Sequence, residues 1–211
     1  IANLSAAAAP CLIISPPVDD ELLGSFSFVT SDTTVVDTGV DEFHVVNKDE
    51  RLDELDKLAI HCGFNYEVLN NKVNNFEIKN LIDSYEEVLN RIQPSLVLIP
   101  YPSYNQDHRS VYDAALVSLR HHDTNHVVKK VLVFEQPHSF LWDYNHNISG
   151  SFKPNYYKEL DIENKIESYK LLESQVRGHR SPEILRTLAK LRGMQSGFDF
   201  AEAFQIIRWI D

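Results

Sequence analysis

Short apolar runs and amphipathic runs take turns along the first two thirds of the chain. "CLIIS" (11–15), "TTVVDTGV" (33–40), "NYEVL" (65–69), "SLVLIPYP" (95–102) and "VKKVLVFEQP" (128–137) are short and rich in apolar residues. Strands buried on both faces of a sheet have that character. The stretches between them have helical spacing. In "DERLDELDKLAIHCG" (49–63), Leu52, Leu55, Leu58 and Ala59 share one face and Gly63 supplies the stop. "NFEIKNLIDSYEEVLNRIQP" (75–94) puts Ile78, Leu81, Ile82, Tyr85 and Leu89 on one face before Pro94. "DHRSVYDAALVSLRHH" (107–122) carries an aspartate at its start, where the helix dipole favours an anion. Strands alternating with helices in this way predict an α/β fold, Rossmann-like, with a mostly parallel sheet and helices on both faces.

The character changes after residue 138. "SFLWDYNHNISGSFKPNYY" is aromatic, Asn-rich and irregular, and reads as a lid region or a long connection. C-terminal helices follow. "ELDIENKIESYKLLESQVRG" (159–178) is helical from about Ile162, and "SPEILRTLAKLRGMQ" (181–195) opens with Ser181 as cap and Pro182 at the first helical position. "FAEAFQIIRWI" reads as a final strand at the sheet edge. The predicted organisation is one domain over 11–211, with residues 1–10 as an N-terminal extension, native or added.

Composition narrows the function. A net charge of −11 over 211 residues argues against a partner rich in phosphate, so no nucleic acid is expected, and against docking on anionic lipid. No apolar run approaches the roughly 20 residues that span a bilayer, so no membrane partner is expected either. The two cysteines, Cys11 and Cys62, suit free thiols in a reducing compartment, and a cytoplasmic location is expected. A homo-oligomer is left open. The glycine-rich patterns that cradle nucleotide phosphates are absent, which disfavours a nucleotide-binding module.

Ligands of parallel sheets gather at the carboxyl ends of strands, and three polar clusters follow strand ends here: "SPPVDDE", "YPSYNQDHR" and "EQPHSFLW". Asp19 and Asp20 after one strand, with Asp107 and His108 after another, offer the carboxylate and imidazole donors that suit zinc or a similar divalent metal. The competing interpretation is that these aspartates cap helices, Asp107 among them.

Three ordered blocks go further. "SPPVDDELLG" resembles S-P-H-x-D-D-E-x-L-G, "NQDHRSVYDAAL" resembles H-x-D-H-R-x-V, and "SQVRGHRSPEILRTLAKLRGMQSGFDFAEAFQIIR" resembles a C-terminal segment with SQ, RSPE, RG-x-Q and AEAF. Together with "DERLDEL" and "FKPNYYKELDIENKIESY" they make residues 11 to 210 resemble the PIG-L/LmbE-like family of zinc-dependent sugar N-deacetylases. The resemblance implies a metal-dependent hydrolase that removes an N-acetyl group from an amino sugar or glycoconjugate. It implies Zn2+ or another divalent metal as cofactor and a small N-acetylated sugar or glycoconjugate as partner.

By position it assigns Asp19 as general base, Asp20 and His108 as metal ligands, and Asp107 as the orienting carboxylate. Two positions depart from the pattern. Pro17 stands where a ligand histidine belongs, and Asn105 where an oxyanion-stabilising histidine belongs. An amide still donates to an oxyanion, so Asn105 stays a candidate catalytic group. A proline side chain offers a metal nothing, and His138 becomes the candidate third ligand. The alternative expectation is a catalytically degenerate relative that binds a sugar or a partner.

Overall fold

The computed structural model describes residues 10–15, 26–39, 48–71, 75–103, 105–121, 126–136, 152–176, 178 and 180–211. Its strands are β1 (Cys11–Ser15), β2 (Thr33–Asp37), β3 (Asn65–Val68), β4 (Leu96–Pro100), β5 (Lys130–Phe134), β6 (Tyr156–Glu159) and β7 (Ala201–Trp209). Its helices are α1 (Lys48–Cys62), α2 (Ile78–Ile92), α3 (Gln106–Ser118), α4 (Ile162–Tyr169) and α5 (Pro182–Ser196). These seven strands join one sheet in the order β3-β2-β1-β4-β5-β7-β6. The first five run parallel, with Ile13 level with both Val35 and Leu98. The last two pair antiparallel, with Phe204 level with Phe134 on one side and Tyr156 on the other.

The apolar runs become strands because both of their faces are covered. Ile13, Val35, Leu98 and Leu132 pack with Leu55, Leu58 and Ala59 of α1, Tyr169 of α4 and Leu185 of α5. Leu12, Ile14, Val97, Ile99 and Val133 pack on the other side with Leu81, Tyr85 and Leu89 of α2 and Val111, Ala114 and Ala115 of α3. Side chains alternate across a strand, so a run with no polar gap serves two cores at once. α1 stops where the sequence predicts: Gly63 takes φ +74° and its N–H reaches the Ala59 carbonyl at 2.8 Å. No described helix is long and apolar enough to cross a membrane.

Two expectations change. The closing strand, β7, is not at the edge of the sheet; it lies between β5 and β6. The edge is "YYKE", across the end of the stretch whose pattern predicts irregular structure. Three half-buried residues and one exposed one carry too little apolar signal, and the backbone partner that makes them a strand is β7, some 45 residues on. The predicted extension at 1–10 and the core of the predicted lid, 137–151, lie outside the described residues, Pro10 excepted.

Polar clamps bind the C-terminal elements to the rest. Glu54 of α1 accepts from the Ser174 N–H at 2.7 Å and the Ser174 hydroxyl at 2.6 Å. The single hydroxyl proton of Tyr169 is shared between the carbonyls of Arg180 at 2.7 Å and Gln175 at 3.1 Å. Glu202 of β7 accepts from the Phe26 N–H at 3.1 Å, the Ser27 N–H at 2.8 Å and the Lys165 ammonium at 2.8 Å. Lys158 completes that cluster, donating to the Ser27 carbonyl and lying 3.9 Å from the Phe28 ring centre. Burial holds its pKa below the usual lysine range, against the pull of Glu202.

Both cysteines are free thiols. Burial on β1 pushes the Cys11 thiol from 9.0 up to about 12. Folding thus holds this proton more tightly, so the associated stability is complete below pH 9 and is lost as pH climbs towards 12. Native protein at pH 8 will leave Cys11 unmodified by a thiol reagent until denaturant is added, which mass spectrometry of the labelled peptide reads. Glu202→Gln will leave Lys165 buried beside an amide. A loss of about 3–5 kcal/mol is expected from breaking a buried pair on one side, seen as an earlier denaturant midpoint.

Candidate active site

β1 is the strand at which the order reverses, with β2 on one side and β4 on the other. Ligands of open α/β sheets bind beyond the carboxyl ends of the strands at such a reversal. Ser15, Asp37, Thr38, Ser103, Asp107, His108, Glu135 and Gln136 are all buried polar residues, and all lie at or just past the carboxyl ends of β1, β2, β4 and β5. Buried polar groups are costly unless hydrogen-bonded, so their concentration at one end of the sheet marks a constructed site.

The exit of β1 is pinned to that of β2. The Ser15 carbonyl accepts from the Thr38 N–H at 3.0 Å and from the Thr38 hydroxyl at 2.5 Å. With its hydroxyl proton spent there, Thr38 receives the Tyr85 hydroxyl at 2.8 Å. Asp37 folds back to accept the Gly39 N–H at 3.1 Å. Gly39 is required here, because a Cβ would lie 2.5 Å from the Asn71 carbonyl oxygen.

The exit of β4 is shaped by two side chains in succession. Ser103 Oγ accepts the Asn105 N–H at 3.1 Å, and Asn105 Oδ1 accepts the Asp107 N–H at 2.9 Å. Each is a turn closed by a side chain on the backbone two residues ahead. The second caps α3, satisfying a donor that the first helical turn cannot. Asn105 thus turns its amide oxygen to the helix, which leaves Nδ2 as its donor group. His108 is buried in the first turn of α3, its Nδ1 2.7 Å from Ser103 Oγ. Asp107 is buried beside it in the first turn, where the dipole favours a carboxylate. The cap is therefore Asn105, and the competing interpretation that Asp107 caps this helix is set aside. Asp107 meets Asn105 through its backbone N–H, which needs an acceptor two residues earlier.

An aromatic and charged wall rises beside β4 and β5. Tyr101 and Phe152 meet edge to face with ring centres 5.2 Å apart. Arg192 of α5 lies 5.8 Å from the Phe152 centre and grips the buried Glu135 with two nitrogens, its Nε at 2.8 Å.

No known family profile matches the sequence, and no curated protein matches it. Solved structures do match. A conserved protein, TT1542, from Thermus thermophilus superposes with a TM-score of 0.77 at 16% identity, covering 97% of each chain. The N,N'-diacetylchitobiose deacetylase of Pyrococcus horikoshii superposes at 0.73 and 18% identity, over 95% of this chain and 84% of that one. The chain has the fold of PIG-L/LmbE-type deacetylases. The LmbE-type fold also carries other chemistry. The 4-carboxy-2-hydroxymuconate hydratase GalB of Pseudomonas putida superposes at 0.73 and 17% identity, over 97% of this chain and 98% of that one.

On this LmbE-type fold, Asn105, Asp107 and His108 come together at the mouth of β4. Asp19, Asp20, Pro17 and His138 lie outside the described residues, as do Tyr104, Trp142 and Tyr144. Among the described residues no cluster of three His, Cys, Asp or Glu side chains could hold a metal. Of the candidate ligands only His108 is described, and one of its ring nitrogens is in a hydrogen bond, the arrangement usual for metal-binding histidines. The sequence reading missed Ser103, Asp37, Thr38, Glu135 and Arg192. For Ser103 a signal existed, since Ser-x-Asn-x-Asp before a helix is the pattern of two consecutive side-chain turns.

Cap and donor are separable by substitution. Asn105→Ala will cost about 1 kcal/mol of stability through loss of the cap. Asn105→Asp will keep the acceptor, and with it the wild-type denaturation midpoint, while removing the Nδ2 donor. Urea denaturation of the two variants side by side checks this.

Proposed function

We propose that the protein is a carbohydrate N-deacetylase, an amide hydrolase that releases acetate from an N-acetylated sugar or glycoconjugate. The observation that carries this reading is the pairing of β1 with β4 at the strand-order reversal. It sets the carboxyl end of β1, the strand that precedes Asp19 and Asp20 in the sequence, beside that of β4, which precedes Asn105, Asp107 and His108. The likeness in fold to the chitobiose deacetylase supports it.

In this reading Asp20 and His108 hold a divalent metal, zinc first, and His138 supplies a third donor where Pro17 has none. A zinc ion bound there would supply a water with a pKa near ~7 and a Lewis acid for the acetamide carbonyl. Asp19 takes the proton of the attacking water and returns it to the departing amine, since Asn105 cannot act as an acid. Asn105 Nδ2 donates to the oxyanion, a contact worth on the order of 10²–10³ in rate. Asp107 holds Asn105 in register through its backbone N–H.

The departures at Pro17 and Asn105 favour a second reading, a catalytically degenerate protein that binds the sugar or a partner. Metal content and acetate release separate the two. The enzyme reading expects zinc-dependent acetate release from N,N'-diacetylchitobiose or N-acetylglucosamine, abolished in Asp19→Asn. It expects Pro17→His to tighten zinc binding by at least ~10-fold, because an inner ligand outweighs the 10–100-fold of an outer one. Folded, zinc-supplemented protein that releases no acetate from either sugar would leave only the binding reading.

A further inference from the structure

We propose that Ser103 is a positioning residue of this site, whose single hydroxyl orients both the candidate ligand His108 and the loop of the candidate oxyanion donor Asn105. The role in catalysis rests on the deacetylase reading; the role in orienting the ring rests on geometry alone. Ser103 is 3% exposed, so water does not compete for its hydroxyl. Oγ lies 2.7 Å from His108 Nδ1 and accepts the Asn105 N–H at 3.1 Å. The carbonyl of the same residue accepts from Arg109 Nη1 at 2.9 Å. Ser103 is thereby tied to residues 105, 108 and 109, which are the cap and first turn of α3.

A serine hydroxyl has two acceptor sites and one proton. The Asn105 N–H fills one acceptor site. The contact with Nδ1 then has two possible senses. If the hydroxyl donates, the neutral ring carries its proton on Nε2 and that nitrogen cannot take a metal. If the hydroxyl accepts from Nδ1–H, the Nε2 lone pair is the one presented to a metal. We take the second sense, the one a metal ligand requires: one oxygen then receives two N–H groups from the same helix start. A carboxylate or backbone carbonyl usually serves a metal-bound histidine in this way. A neutral hydroxyl does so here, and it also shapes the turn that delivers Asn105.

Histidine 15N labelling of metal-free protein reads the ring tautomer directly, and chelator competition reads zinc affinity. His108 is expected in the Nδ1–H form in wild type and in Ser103→Thr, which keeps the hydroxyl. Ser103→Ala is expected to move the ring towards the Nε2–H form and to weaken zinc binding ~10–100-fold. A purely structural serine would change the melting temperature of Ser103→Ala and neither of these readouts. An Nε2–H ring in wild type overturns the proposal, and that measurement needs no variant to fold. So does a Ser103→Ala protein with an unmoved tautomer and a zinc affinity within twofold of wild type. If wild type binds no zinc, the deacetylase reading falls while the tautomer comparison still decides the role of Ser103.

Discussion

β1 has neither a free edge nor a free face, and the rest of the architecture follows from that. Parallel partners occupy both edges, and Leu12, Ile13 and Ile14 are fully enclosed by helices on both sides. A strand so placed can hold only apolar side chains along its length, so polar groups are deferred to its exit. The same holds for β4, and for β5 beyond Lys130 at its entry. Burial thus sorts the sequence into an apolar sheet and a polar rim, and the rim at the carboxyl ends is where chemistry is available. Ser15 marks the boundary: it is fully buried, and its carbonyl is held by two donors from Thr38.

The second half of the chain braces this arrangement through charge. The carboxylate of Glu202 is tolerated inside because two backbone N–H groups and an ammonium meet it. Such an assembly stabilises less than its contacts suggest, since taking the charges out of water offsets most of the attraction. Its value is geometric. It fixes Phe26 and Ser27, while Thr38 fixes Ser15, so the chain is anchored on either side of residues 16–25. Glu54 does similar work on another face, joining α1 to the turn at 173–175. These residues sit within the blocks "DERLDEL", "SQ" and "AEAF", and the structure gives those blocks a mechanical meaning.

The sequence discloses local features better than distant ones. β1 to β5 are visible because burial on both faces writes itself into consecutive residues. The helices are visible because one face is apolar at helical spacing. β6 is hidden because its strand character comes from pairing with β7 and not from its own four residues. The interior position of β7 is hidden for the same reason. In the site, His108 and Asn105 are legible from a spaced motif, since their chemistry resides in residue type. For Ser103 the pattern discloses only a turn; its contact with an imidazole five residues on appears once that turn is folded. At 16–18% identity the matching structures share geometry more than residues, so three short blocks carry a likeness that whole-sequence comparison does not detect.

The insertion of β7 between β5 and β6 has a consequence for how the molecule comes into being. A parallel sheet built from local βα units can assemble as the chain emerges, each strand adding beside its predecessors. β6 cannot join such a growing edge, because the strand it pairs with is made later and must enter between it and β5. The Phe26–Glu202 bond closes a separation of 176 residues. Contacts of that range are slow to form, and the loop entropy they demand is repaid only when the last strand docks. On the ribosome the nascent chain would therefore hold an unsealed β5 edge until β7 is free, which makes that edge the point at which a chaperone or an aggregating neighbour would meet it.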